Sequence, residues 1–236
     1  MIAPPFIELL NVGMKKLLLD SIYFIQSHRG PIFQIVGPFF IAMSVFGAYI
    51  NASEPDNAWI FTIYLALFAF GQAFYMCRLI KYMASVVTGN EANLSVSLNE
   101  WARLFAVHVL YGIAVLIGIM ALIIPGVFLS ARYGFAEFEA VLNERSPFEA
   151  MSSSWTQTKE FTTTLMLGVV VIGGGGLMFD LLLTGSTEVT NGFALVSGFF
   201  AELVSAFVVV LMSVFFFRVY VSSLDFSGTA KSDSEQ

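Results

Sequence analysis

Residues 59–83 read WIFTIYLALFAFGQAFYMCRLIKYM, and the first charge in that run is Arg78. An apolar helix needs about 20 residues to cross the hydrocarbon core of a bilayer, and this run supplies them. On one side stands the connection NASEPDNA, residues 51–58, whose only charges are Glu54 and Asp56; at the other end lie Arg78 and Lys81. Apolar runs recur outward from this one at 32–50, 101–123, 127–142, 163–183 and 193–218. The pattern predicts an all-α integral membrane protein with about six transmembrane helices. The fourth run is the shortest and carries charge.

The basic residues orient the spans. Of eleven Lys and Arg, ten fall in or next to alternate connections or the C-terminal tail, and the eleventh, Arg132, falls inside the fourth run. The intervening connections, 51–58 and 185–191, hold only Glu54, Asp56 and Glu188. Basic residues are retained on the cytoplasmic side during insertion. Both termini are therefore expected in the cytoplasm. Trp59, Trp101, Trp155, Tyr49, Tyr82 and Tyr220 fall at the expected interfaces, where aromatic rings anchor spans. Arg218, after Phe215, Phe216 and Phe217, can snorkel to the cytoplasmic surface.

Composition agrees. The chain is 57% hydrophobic and 12% charged, with 25 Phe and a net charge of -6; soluble domains carry roughly 25% charged residues. No basic cluster suggests a nucleic-acid partner. Cys77 is the only cysteine, so an intrachain disulfide and a cysteine metal cage are excluded. His28 and His108 are far apart in sequence, and neither a metal nor another cofactor is implied. Residues 1–6 have no basic segment of the kind that opens a cleavable signal peptide, so the chain is expected to keep its N-terminus.

Two more helices are expected to lie along the cytoplasmic surface. Residues 6–26 are mostly apolar but contain Glu8, Asn11, Lys15, Lys16 and Asp20. A charge at the bilayer centre costs about 2.5–3.5 kcal/mol, which an in-plane amphipathic helix avoids. The second begins at Ser146-Pro147-Phe148-Glu149, with an N-cap serine, a proline at the first helical position and a glutamate in capping-box register, and runs to about Thr158. The organisation read from this is an interfacial helix within 1–30, a six-helix domain over 31–224 that includes the interfacial segment 146–158, and a disordered cytoplasmic tail, 225–236.

Pro125-Gly126 joins two apolar runs with almost no loop. Proline cannot continue the donor ladder and glycine permits a left-handed turn, so the pair predicts a sharp hairpin, placed by alternation at the external face. Arg132, six residues on, is then about 9 Å below that face. Glu137 and Glu202 read as mid-depth, Glu139 nearer the cytoplasm, Asp180 near the outer end, and His108 about 10 Å in from Trp101. Intramembrane ionisable groups usually face a partner or a wet cavity. Depth pairs Arg132 with Asp180 or Glu202, and His108 with Glu139 or Glu137. The run Gly173 to Gly176 suggests a broken helix or a close helix–helix contact. Neither a phosphate-binding loop nor a soluble catalytic motif is present.

The segment LIIPGVFLSAR, residues 122–132, followed by AVLNERSPFEAMSSSW, residues 140–155, resembles a signature of two related groups. These are the YciC-like bacterial inner-membrane proteins and the membrane domain fused to some glycerophosphoryl diester phosphodiesterases. The matching positions are Pro125, Gly126, Arg132, Ser146, Pro147, Glu149, Ala150, Ser154 and Trp155. The chain departs from the pattern around Trp155, where MSSSWTQTK stands in place of a more basic helix, and it has no phosphodiesterase domain. The resemblance implies a non-enzymatic, multi-pass inner-membrane protein of envelope or lipid homeostasis whose partners are membrane lipids. Two alternatives stay open: a small permease with a cavity around Arg132, Glu137, Glu139 and Glu202, and an assembly subunit with a protein partner or a second copy.

Overall fold

A computed structural model describes residues 6–53, 58–184 and 191–234, with side chains at 13–47, 50, 59–183, 196 and 198–224. The acidic connections with Glu54, Asp56 and Glu188, and the side chains of Glu8, Asn11 and Tyr49, lie outside these residues. Every regular element among the described residues is a helix. The order is α1 (Phe6–Ser27), α2 (Arg29–Ser53), α3 (Ala58–Thr88), α4 (Leu98–Ala121), α5 (Ile123–Tyr133), α6 (Ala136–Leu142) and α7 (Pro147–Gln157). Then come α8 (Thr162–Gly168), a π-helical turn (Val169–Gly173), α9 (Gly174–Thr184) and α10 (Asn191–Ser234).

Five segments are long and apolar enough to span a membrane: Arg29–Gly47, Trp59–Thr88, Leu98–Ala121, Thr162–Leu183 and Gly198–Leu224. Their outer faces are studded with exposed Phe, Leu, Ile and Val, which only lipid can solvate at low cost. The protein is an all-α membrane protein.

The fourth predicted span does not form one helix. Residues 127–142 divide between α5 and α6, broken at Gly134-Phe135. The break has a packing cause. A Cβ on Gly134 would collide with the ring of Phe216, so only glycine lets α10 approach here. A turn rather than a helix at this point frees backbone groups, and α7 takes them up, as described below.

The hairpin is built from α4 and α5, which pack against each other. No polar side chain occurs between Tyr111 and Ser130. Met120, Ile123 and Ile124 at its tip are 79%, 73% and 73% exposed. The turn is tight because a Cβ on Gly118 would lie 2.9 Å from the Cα of Gly126. Leu122 N–H donates to Gly118 O (3.0 Å), Gly126 N–H to Leu122 O (3.4 Å), and Pro125 brings no donor to satisfy.

The glycine run does not break its helix either. The π turn ends on its first member, Gly173, and α9 continues through Gly174, Gly175 and Gly176. Gly176 packs on Val208 of α10, while Gly174 and Gly175 have open space where a Cβ would stand. At the other end of the molecule α1 packs across α10 and α8, and α10 runs on through 225–234, where a disordered tail is expected from sequence.

Candidate functional site

Four of the buried polar side chains, Arg132, Glu139, Ser154 and Thr158, gather around α7. α7 is set there by its capping box: Ser146 N–H and Oγ both donate to Glu149 Oε2, at 3.0 and 2.7 Å. These bonds hold the exposed Glu149 carboxyl below its ordinary range. A second capping box starts α4, with Ser97 N–H donating to Glu100 Oε2 (2.8 Å) and Glu100 N–H to Ser97 Oγ (3.2 Å). Lys81 Nζ pairs with Glu100 Oε1 at 2.6 Å and donates to Ser95 O at 2.7 Å. That serine-x-x-glutamate spacing was available in the sequence and is the signal for this element.

Arg132 is 6% exposed, yet among the described residues no carboxylate pairs with it. Its Nη1 donates to Thr162 Oγ1 at 3.2 Å, and its guanidinium lies 4.4 Å from the ring centroid of Trp155. Thr162 follows the exposed Lys159 and Glu160, so Arg132 points to the basic end and not toward the outer face. The expected pairings with Asp180 and Glu202 are therefore replaced. Glu202 instead accepts from Tyr64 Oη at 3.0 Å, and Asp180 sits on α9 beyond the π turn.

The break between α5 and α6 explains why serine and tryptophan follow on α7. Arg132 O accepts from Ser154 Oγ (2.8 Å) and Thr158 Oγ1 (3.0 Å), and Phe135 N–H donates to Ser154 Oγ (3.0 Å). Both groups lose helical partners at the break, and unpaired buried backbone groups cost about 1–3 kcal/mol each. Arg132, Ser154 and Trp155 thus meet in one place.

Glu139 has no exposed surface. Tyr220 Oη donates to its Oε1 at 3.0 Å, Gln157 Nε2 donates to the same oxygen at 2.8 Å, and Arg145 Nε lies 2.9 Å from Oε2. Asn143 Nδ2 in turn donates to Tyr220 Oη at 3.0 Å. Four elements, α6, α7, α10 and the 143–146 connection, are tied by this carboxylate. Sequence reasoning missed Tyr220, Gln157, Asn143, Thr158 and Thr162, because their roles depend on which elements meet.

His108 pairs with Glu137, its ring Nε2 lying 3.0 Å from Oε1 without hydrogen-bond geometry. This is one of the pairings depth had suggested. Glu137 borders a cavity of about 230 Å³ together with Gln72, Tyr111, Tyr133 and Ser213. Chemically the pair can hold or exchange a proton. Among the described residues no cluster of His, Cys, Asp and Glu is placed to hold a metal ion. Cys77 is buried, its Sγ 3.9 Å from Glu100 O.

No family model matches the chain, nor does any curated protein or solved structure. Function has to be argued from the geometry itself. Among the described residues, Glu137 alone of Arg132, Glu137, Glu139 and Glu202 lines the cavity beside Tyr111 and Ser213. Each has its own partner: Trp155 and Thr162, His108, Tyr220 with Gln157 and Arg145, and Tyr64.

Proposed function

We propose that this is a non-enzymatic accessory protein of a bacterial inner membrane, with both termini cytoplasmic, that contacts lipids in envelope or lipid homeostasis. The observation that carries the reading is the separate pairing of the intramembrane charges. A permease concentrates its polar groups around a central site at the interface of repeats. Here they join helices two or three at a time, which is the work of a structural lock. Long apolar faces on α3, α9 and α10 leave lipid as the main neighbour. The orientation rests on the basic residues, all of them in or beside connections that alternation puts on one side, apart from Arg132, which snorkels toward that side. The resemblance over 122–155 supports the inner-membrane part of this reading.

One observation keeps the permease reading in view: the 230 Å³ cavity lined by Glu137, the partner of His108. Native mass spectrometry of the chain in mild detergent, with a proteoliposome flux assay beside it, separates the two. Retained phospholipid with no flux supports the accessory role. A retained small molecule, or flux lost on Glu137→Gln, overturns it.

A further inference from the structure

We propose that the groove between α1, the end of α3 and α10 binds the headgroup phosphate of one anionic phospholipid. The proposal rests on the lipid-contacting reading above and gives it a site. The groove has a volume of about 510 Å³. Its polar lining is Lys16 and Asp20 from α1, with Arg218 and Ser222 from α10, and its walls include Leu17, Phe24 and Phe217. Cations beside apolar walls suit an amphiphile, with a phosphate at the charges and glycerol and acyl carbons along the rings, better than a free anion.

The charges are unbalanced in the direction an anion requires. Among the described lining residues two cations face one carboxylate, an excess of one positive charge that a phosphodiester would neutralise. Arg218 meets Asp20 only at 3.6 Å through Nη1, and its buried Nε has no acceptor among the described residues. A guanidinium offers five donors, and this Nε is one left for a ligand. Lys16 has no ion pair among the described residues. Two like charges beside one groove repel each other unless an anion joins them.

The position is right as well. Val87, one residue before the end of α3, lines the groove, and Arg218 stands near the end of the last apolar segment, Gly198–Leu224. This is headgroup level at the basic end. On α1, Leu19 and Tyr23 are exposed and carry its apolar surface outward beside the groove, as in a helix lying at the boundary of headgroups and acyl chains. A negatively charged leaflet attracts basic residues at that level.

The test is native mass spectrometry of the full chain in mild detergent, titrated with phosphatidylglycerol, with phosphatidylethanolamine and, in a third arm, with inorganic phosphate. One phosphatidylglycerol should be retained preferentially. Lys16→Gln and Arg218→Gln should each weaken it about fivefold, and Arg218→Lys should restore most of the loss. Asp20→Asn should tighten binding by a similar factor, because it removes the competing carboxylate. A merely structural Asp20–Arg218 pair predicts no gain there. Lys16 is exposed, so its variant tests the site even if Arg218→Gln fails to fold. Lipid retained without headgroup preference, or no response to Lys16→Gln and Asp20→Asn, overturns the site and spares the accessory reading. Competition by inorganic phosphate overturns the lipid assignment in favour of a free-anion site. Retention of no lipid at all overturns both.

Discussion

Glu139 shows how far single residues can be read. Counting along the sequence gives an expected depth but not its partners, because Tyr220, Gln157 and Arg145 come from other elements. Glu139→Gln keeps an acceptor for Tyr220 and removes the charge, so it should cost about 1–3 kcal/mol, and Glu139→Leu more, since the Gln157 donor is then stranded. Midpoints of denaturation by SDS or heat in detergent report this; a Leu variant as stable as the parent would sink the lock. Arg132 and Trp155 make a second case. A double-mutant cycle with Arg132→Leu and Trp155→Leu should return a coupling of about 0.5–2 kcal/mol, the range for a cation over an aromatic face. Glu149 adds a pH effect. Its carboxyl is held low by Ser146, so its contribution is complete above the unfolded carboxylate range and is lost as pH falls through the depressed value. Amide protection factors at the start of α7, corrected for the intrinsic exchange rate, should fall on acidification, and Glu149→Gln should remove that dependence.

At the scale of elements, apolar run length and capping chemistry were sufficient for α2, α3, α7 and the apolar part of α10. They failed at Gly134-Phe135, where no proline marks the break and the compensating hydroxyls of Ser154 and Thr158 lie on another helix. The hairpin was legible as a turn, because Pro125 and Gly126 mark it. A spin label at Ile123→Cys, in a Cys77→Ser background, should be relaxed by dissolved oxygen and shielded from an aqueous nickel complex. Equal access of both reagents would put the turn in water. The glycines sort the same way by packing. Gly134→Ala and Gly168→Ala must displace Phe216 and Phe215, and should cost about 1–3 kcal/mol by overpacking. Gly174→Ala and Gly175→Ala meet open space and should be neutral or stabilising.

For the whole molecule, the proposed orientation rests on where the basic residues fall. Six crossings return the chain to its starting side. So do the five long apolar segments if α5 and α6 together make the return crossing, and the proposal of both termini on one side is what reporter fusions test. The expected outcome is specific. Reporters fused in 89–97, near Arg145 and after residue 224 should all report the cytoplasm, while those in 54–57 and 185–190 should report the opposite side. The bias should also be open to competition: two lysines placed in 54–57 oppose the retention of Lys15, Lys16 and Arg29, and should give mixed topology at that end. The C-terminal fusion should keep its side, since Arg78, Lys81, Arg103, Arg145, Lys159 and Arg218 still hold the rest of the bundle. If the C-terminal reporter reverses with the N-terminal one, the molecule inserts as a single unit set by its first helix, and the distributed basic residues do not hold it.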